Sequence, residues 1–153
     1  MRALELRIPP PAVALVIAAA MWGISRVTPA PDMPAIVRET AGIALAVAGV
    51  CIALSGTFAF RRAGTTINPL KPETTSALVT SGIYRYTRNP MYVGLALAVL
   101  GWAVYLTSAA AFLGPVVFVL YITRFQIVPE ERALASLFGA TFADYRSRVR
   151  RWL

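Results

Sequence analysis

Two stretches of the chain concentrate side chains that could bind or transfer something. Leu78 to Gly94 reads LVTSGIYRYTRNPMYVG, and Pro129-Glu130-Glu131-Arg132 follows after a long apolar interval. An ordinary lipid-facing helix needs no such mixture of Gly, Arg, Tyr and Asn-Pro. Asn89-Pro90 has the residue types of a helix start, because Asn is a favoured N-cap and Pro a favoured first helical residue. The free backbone N–H groups at such an end suit a carboxylate or phosphate, and Arg88 lies immediately before it. Glu130 and Glu131 follow a proline, where acids favour a helix start and can pair with Arg132 or Arg124. Adjacent helical residues point about 100° apart, so one carboxylate is expected to meet a ligand while the other holds an arginine. Tyr84, Tyr86 and Tyr92 suit either an aromatic belt at a membrane interface or a pocket that stacks a flat ring or faces a cation.

Composition narrows the chemistry further. The 153 residues contain no His and one Cys, Cys51, inside an apolar run. Imidazole catalysis, disulfides and Cys/His metal sites are thereby excluded, and no metal site is expected. Apolar residues make up 58% and charged residues 14%, outside the range of ordinary soluble domains. The length suits a single domain, 1–153. The net charge of +8 would suggest nucleic acid in a soluble protein. Here the arginines flank apolar spans, so the positive-inside rule accounts for them and no nucleic-acid partner is expected.

The elements that must position these residues are helices. Apolar spans fall at about 11–28, 40–60, 90–106 and 109–127, with a tail at 129–153. The expected class is therefore all-α integral membrane with about four transmembrane helices. The first span has a basic start and Thr28-Pro29-Ala30 downstream, features of a secretory signal; with three spans after it, it is assigned as a transmembrane helix. In the second, Gly42, Ala46, Gly49, Ala53 and Gly56 line one face, a seam that lets another helix approach closely. The third and fourth are separated by Thr107-Ser108 alone, which predicts a tight helical hairpin. Of 15 Lys and Arg, only Arg26 and Arg38 fall on the side opposite the termini, leaving thirteen with the 61–88 loop, the N-terminus and the tail. Both termini and that loop are thus expected in the cytoplasm. The tail is expected to form one or two interfacial helices, with Leu134, Leu137, Phe138, Phe142, Tyr145 and Trp152 toward lipid or protein. Arg146, Arg148, Arg150 and Arg151 would face anionic head groups.

Taken in order, Gly64-Thr65-Thr66, Leu78-Val79-Thr80-Ser81-Gly82-Ile83-Tyr84-Arg85, Arg88-Asn89-Pro90-Met91-Tyr92-Val93-Gly94, Glu130-Glu131-Arg132, Phe138-Gly139 and Tyr145 resemble the isoprenylcysteine carboxyl methyltransferase and phospholipid methyltransferase superfamily in its small bacterial form. The resemblance runs from Phe58 to Leu153. It implies a multi-pass membrane enzyme, of the bacterial inner membrane, that uses S-adenosylmethionine and methylates a lipophilic acceptor drawn from the bilayer. It further implies that the cytoplasmic loop and C-terminal helices form a cofactor pocket lined by Leu78, Val79, Gly82, Tyr84, Arg88, Asn89, Pro90, Tyr92, Glu130 and Glu131. Arg88 and Glu131 would be catalytic, and Arg85 would orient the acceptor.

One position departs from that pattern. Where the eukaryotic members have Arg-His-Pro, this chain has Arg88-Asn89-Pro90, and Asn carries no proton at neutral pH. Among a carboxylate, a thiol and a head-group amine, the residues favour an acceptor that is already anionic or easily deprotonated, because a carboxylate or thiolate needs little base catalysis whereas an ammonium must first lose a proton. Two other readings stand beside this one. Membrane steroid reductases, which use NADPH, share a Tyr-Arg and Arg-His-Pro-Asn-Tyr element and a distal Glu-Glu-Arg, but place an acid soon after the Tyr-x-Gly, where this chain has Leu95-Ala96. A four-helix scaffold or transporter would fit the seam in the second span, although no span has a charge at its middle.

Overall fold

The computed structural model describes residues 5–64, 70 and 72–153. Thr65, Thr66 and Pro69, which the sequence singles out in the loop, lie outside them, as does Arg2. Helix α1 (Pro10–Ser25) starts at a proline and stops three residues before the expected end of its span. There Thr28 donates its hydroxyl to the Ile24 carbonyl and shares a 2.7 Å hydrogen bond with Ser108 across the same end of the bundle. Helix α2 (Ala35–Arg62) is longer than its apolar core, because the polar turn after Pro34 is helical too. Helix α3 (Pro90–Leu106) ends where Thr107 takes a left-handed conformation, φ 53°. After Ser108 the chain turns back through a 3-10 turn (Ala109–Phe112) into α4 (Leu113–Ile122). The predicted two-residue hairpin is thus present.

The sequence places a break at Pro129, between the fourth span and the tail. Instead the helix continues. A π-helical turn (Thr123–Ile127) joins α4 to α5 (Val128–Arg148), and the pronounced bend comes later, at Gly139, with φ 48° and ψ −121°. The π turn closes with the Val128 N–H on the Thr123 carbonyl, directly before Pro129, whose missing N–H an uninterrupted α-helix would need for its ladder. All described secondary structure is helical except one parallel bridge, Thr87 to Arg150. Two segments are long and apolar enough to cross a membrane, α2 and the continuous Ala109–Arg148 helix; α1 and α3 are shorter apolar helices.

The glycine seam of α2 finds its partner in α3. A Cβ on Gly42 would lie 3.0 Å from the Gly101 carbonyl oxygen, and one on Gly56 would lie 3.0 Å from the Pro90 ring. Between them Gly49 and Gly94 meet backbone to backbone. Gly42, Gly49 and Gly56 are the buried residues of α2, whereas Ile43, Val47, Val50, Leu54 and Phe58 are exposed. That is the reverse of a soluble amphipathic helix and suits packing in lipid, where close backbone approach replaces hydrophobic burial. On its other side α3 packs on α1 and α4. Trp102 Nε1 donates to the Ala18 carbonyl at 3.0 Å, and Val13, Met21, Tyr92, Val99, Ala103, Phe118, Ile122 and Ile127 form the buried core.

Candidate active site

Pro90 anchors the site. It is buried against Gly56, so the α2–α3 seam fixes where α3 begins and where Tyr92, one turn inside it, points. Tyr92 is 6% exposed, and its hydroxyl donates to Glu130 Oε1 at 2.5 Å. Gln126 Nε2 donates to the same oxygen at 2.8 Å. Gln126 and Glu130 are one helical turn apart, so the wide turn that ends at Ile127 delivers both to one point. The Glu130 carboxyl lies beyond the apolar span that ends at Ile127. Burial pushes it up to about 7, against the lowering effect of its two donors.

Glu131 faces a different partner set. Arg88 Nη2 reaches its Oε1 at 2.9 Å, Arg151 Nε the same oxygen at 3.0 Å, and Arg151 Nη2 its Oε2 at 2.6 Å. The divergence of adjacent helical side chains therefore separates a carboxylate bonded to a tyrosine and an amide from one clamped between two arginines. Neither pairs with Arg124 or Arg132, as the sequence allowed; both of those arginines go to Glu5. Burial lowers the Arg88 pKa, with Glu131 opposing the shift, and the hydrogen bonds to Glu131 raise that of Arg151.

The loop that carries Arg88 is held by the C-terminal segment folding back over it. Gly82, φ 61°, opens a 3-10 turn (Gly82–Arg85) whose Tyr84 is buried edge-on against Phe60, ring centroids 5.4 Å apart. The Tyr145 hydroxyl donates to the Tyr84 carbonyl at 2.7 Å, and burial pushes that phenol up to about 12. The Arg88 N–H donates to the Arg150 carbonyl at 3.0 Å, and Arg88 Nη1 to the Arg146 carbonyl at 2.9 Å. Asn89 occupies the N-cap position, but its side chain does not cap. Its Nδ2 donates instead to the Arg151 carbonyl at 2.8 Å, while Thr87 Oγ1 accepts from the Asn89 N–H at 3.1 Å.

These contacts join Tyr84, Arg88, Asn89, Pro90, Tyr92, Glu130 and Glu131 into one cluster. Leu78 is half-buried, Val79 buried and Gly82 exposed, in the stretch of loop that leads into the Gly82–Arg85 turn. Arg85 is exposed and borders an open cleft of about 220 Å³, together with Thr80, Tyr145, Arg148 and Val149. Tyr86 is 77% exposed, which of its two readings suits the interfacial belt and not the pocket. Neither Gln126 nor Arg151 was placed in the site from the sequence. Gln126 carried a signal, an amide within an apolar run four residues before Glu130. Arg151 carried none, being one of five arginines in the tail, and it turns to Glu131 rather than to the anionic head groups expected of it.

Arg88 Nε is a buried nitrogen without a hydrogen-bond partner among the described residues. A buried, unsatisfied guanidinium N–H is costly unless a ligand completes it. Together with the part-buried Glu130, it gives the cluster one donor and one titratable acceptor for a zwitterionic or charged molecule. Among the described residues no group of His, Cys, Asp and Glu could hold a metal.

The family profile described as phospholipid methyltransferase matches residues 37–141. The chain is 39% identical over 75 residues to a protein-S-isoprenylcysteine O-methyltransferase of Schizosaccharomyces pombe, covering 47% of this chain and 30% of that one. It is 32% identical over 114 residues to the Mus musculus protein of the same name, covering 71% of this chain and 38% of that one. An uncharacterized Haemophilus influenzae protein is 44% identical over 63 residues, all of its length and 41% of this chain. This chain thus spans well under half the length of the two named methyltransferases. No solved structure matches it. The profile match takes in α2, α3, the glutamate pair and the helix up to Gly139, and on that extent the chain belongs to the phospholipid methyltransferase family.

Proposed function

We propose that this protein is a membrane-embedded, S-adenosylmethionine-dependent methyltransferase acting on a lipophilic acceptor with an anionic or readily deprotonated nucleophile. All four apolar segments would span or enter the bilayer, with both termini in the cytoplasm. The observation that carries the reading is the divided glutamate pair beside α3, with Glu130 on Tyr92 and Gln126, Glu131 on Arg88 and Arg151, and Arg88 Nε left to donate.

When bound, S-adenosylmethionine supplies the methyl group. Glu130, once ionised, would take the cofactor's cationic amino group, and Tyr92 and Asn89 would border it. Leu78, Val79, Gly82, Tyr84 and Pro90 would form the walls, with Tyr84 and Pro90 acting through packing. Methyl transfer from a sulfonium is an in-line displacement that neutralises the donor's charge, so these residues mainly align two reactants and exclude water. Arg88 would donate its Nε–H to an anionic group, and Glu131 would hold that guanidinium in place. Arg85, at the open cleft, would orient an acceptor arriving from the bilayer.

Calorimetric titration of the purified protein in detergent with S-adenosylhomocysteine, and separately with NADPH, tests the reading. Saturable binding of the first alone is expected. NADPH binding alone would move the protein to the reductases, and no binding of either by folded protein would leave a scaffold.

A further inference from the structure

Leu6, near the N-terminus, touches the site's supporting helix at a point that the helix itself leaves unsatisfied. Pro129 has no N–H, so the Phe125 carbonyl four residues earlier loses its ladder partner. The Leu6 N–H fills that place at 3.1 Å. Leu6 does so with φ 56°, a left-handed conformation that a branched-chain residue adopts only when its surroundings hold it there. The neighbouring Glu5 carboxylate is 12% exposed and bonds Arg124 at 2.9 Å and also Arg132. Arg124 lies within the π turn, two residues before Gln126, and Arg132 stands one residue after Glu131 on the helix that follows. The hydrogen bond from Arg124, with Arg132 beside it, holds the Glu5 carboxyl below the usual carboxylate range.

We propose that Glu5 and Leu6 form a positioning strap, bonding Arg124 and the open Phe125 carbonyl within the π turn and Arg132 on the helix beyond it, so that Gln126 stays directed at Glu130. The inference rests on the reading of Glu130 as a cofactor contact. Glu5 and Leu6 lie outside the 37–141 region that matches the family, whereas their partners Arg124, Phe125 and Arg132 lie within it. Neither Glu5 nor Leu6 touches Glu130. Their effect passes through the geometry of the turn, since a helix that relaxed to α-helical spacing here would rotate Gln126 relative to the residues that follow Pro129.

Two readouts on the full-length protein in detergent test this, with Glu5→Ala and the milder Glu5→Gln. The first is amide hydrogen exchange over Thr123–Glu131, which needs no ligand; exchange there is expected to accelerate about tenfold or more in Glu5→Ala and less in Glu5→Gln. The second is the pH dependence of S-adenosylhomocysteine affinity. The titratable and charged groups around Glu130 are Tyr92 from α3, Tyr84 from the loop, and Glu131 with its arginines Arg88 and Arg151. None of these is altered by the substitution. Losing the Gln126 hydrogen bond should therefore move the midpoint upward by about one pH unit. Gln126→Ala should give the same shift, and the double variant no more than either. Unchanged exchange overturns the strap, and so do additive shifts or weaker binding with an unmoved midpoint. If the wild-type protein binds no S-adenosylhomocysteine, the functional reading falls and the exchange measurement alone decides the strap.

Discussion

Glu130 and Glu131 are neighbours in sequence with opposite demands on their surroundings. Glu130 is raised to about 7 by burial, so the folded protein holds its proton more tightly than the unfolded chain does. Its stability contribution is fullest below the ordinary value of 4.5 and is lost as the pH rises through about 7. Glu130→Gln should therefore leave the melting temperature at pH 8 unchanged or higher, while lowering S-adenosylhomocysteine affinity at pH 8 by about tenfold and by much less at pH 6. An equal loss at both pH values would show that ionisation of Glu130 does not matter to binding. Glu131→Gln should behave in the opposite way. It strips the largely buried Arg88 guanidinium and the more exposed Arg151 of their counter-charge, at a cost of about 3 kcal/mol carried mainly by Arg88, and thermal melts in detergent should show it at either pH. That the adjacent carboxylates face different partners, one of them arginine, was legible in the sequence because helical geometry sets it. Which glutamate takes which role was not, because Arg151 meets Glu131 only after the tail has folded back over the Arg88 loop. Asn89 shows the same limit: its N-cap position follows from Pro90, but its side chain is claimed by a carbonyl sixty-two positions away.

At the scale of the elements, the glycine seam positions the site as well as assembling the bundle. Sequence spacing identified the face on α2; the matching glycines of α3, at Gly94 and Gly101, gave it a partner that spacing alone did not name. A Cβ on Gly94 would sit 2.8 Å from Ala53 Cβ and closer still to the Gly49 carbonyl, and backbone cannot move aside as a flexible side chain can. Gly94→Val should thus force α2 and α3 apart, lower the melting temperature by several degrees or abolish folded yield, and remove ligand binding by displacing Pro90 and Tyr92. Gly23→Ala in α1 is the control. A Cβ there meets nothing within 4 Å, so melting should stay the same or rise slightly. Folded Gly94→Val protein with normal affinity would separate the seam from the site. Pro129 was misleading at this scale. A proline after an apolar span suggests an end, yet a π turn and an outside N–H donor let the helix run on.

The whole molecule places its polar cluster, its cleft and most of its cations at one end. Arg61, Arg62, Arg85 and Arg88 border the loop, and Arg146, Arg148, Arg150 and Arg151 lie in the segment that folds over it, whereas Arg26 and Arg38 stand at the far ends of α1 and α2. In the topology proposed above, a water-soluble cofactor reaches the cluster from the cytoplasm, the side to which the positive-inside rule would assign this arginine-rich end. The exposed aliphatic face of α2 and the exposed Leu113, Val116, Val117 and Leu120 of α4 then meet lipid between the two ends. Cys51 must first be removed, as it is exposed on α2; a Cys51→Ser background carrying Thr75→Cys then holds a single thiol in the loop. In right-side-out vesicles an impermeant maleimide should leave it unlabelled, and permeabilisation or inversion should label it fully. Val27→Cys, between α1 and α2 and 82% exposed, should show the reverse. Labelling of Thr75→Cys from outside would put the glutamate pair in the wrong compartment for a cytoplasmic methyl donor, however well the pair binds its analogue in detergent.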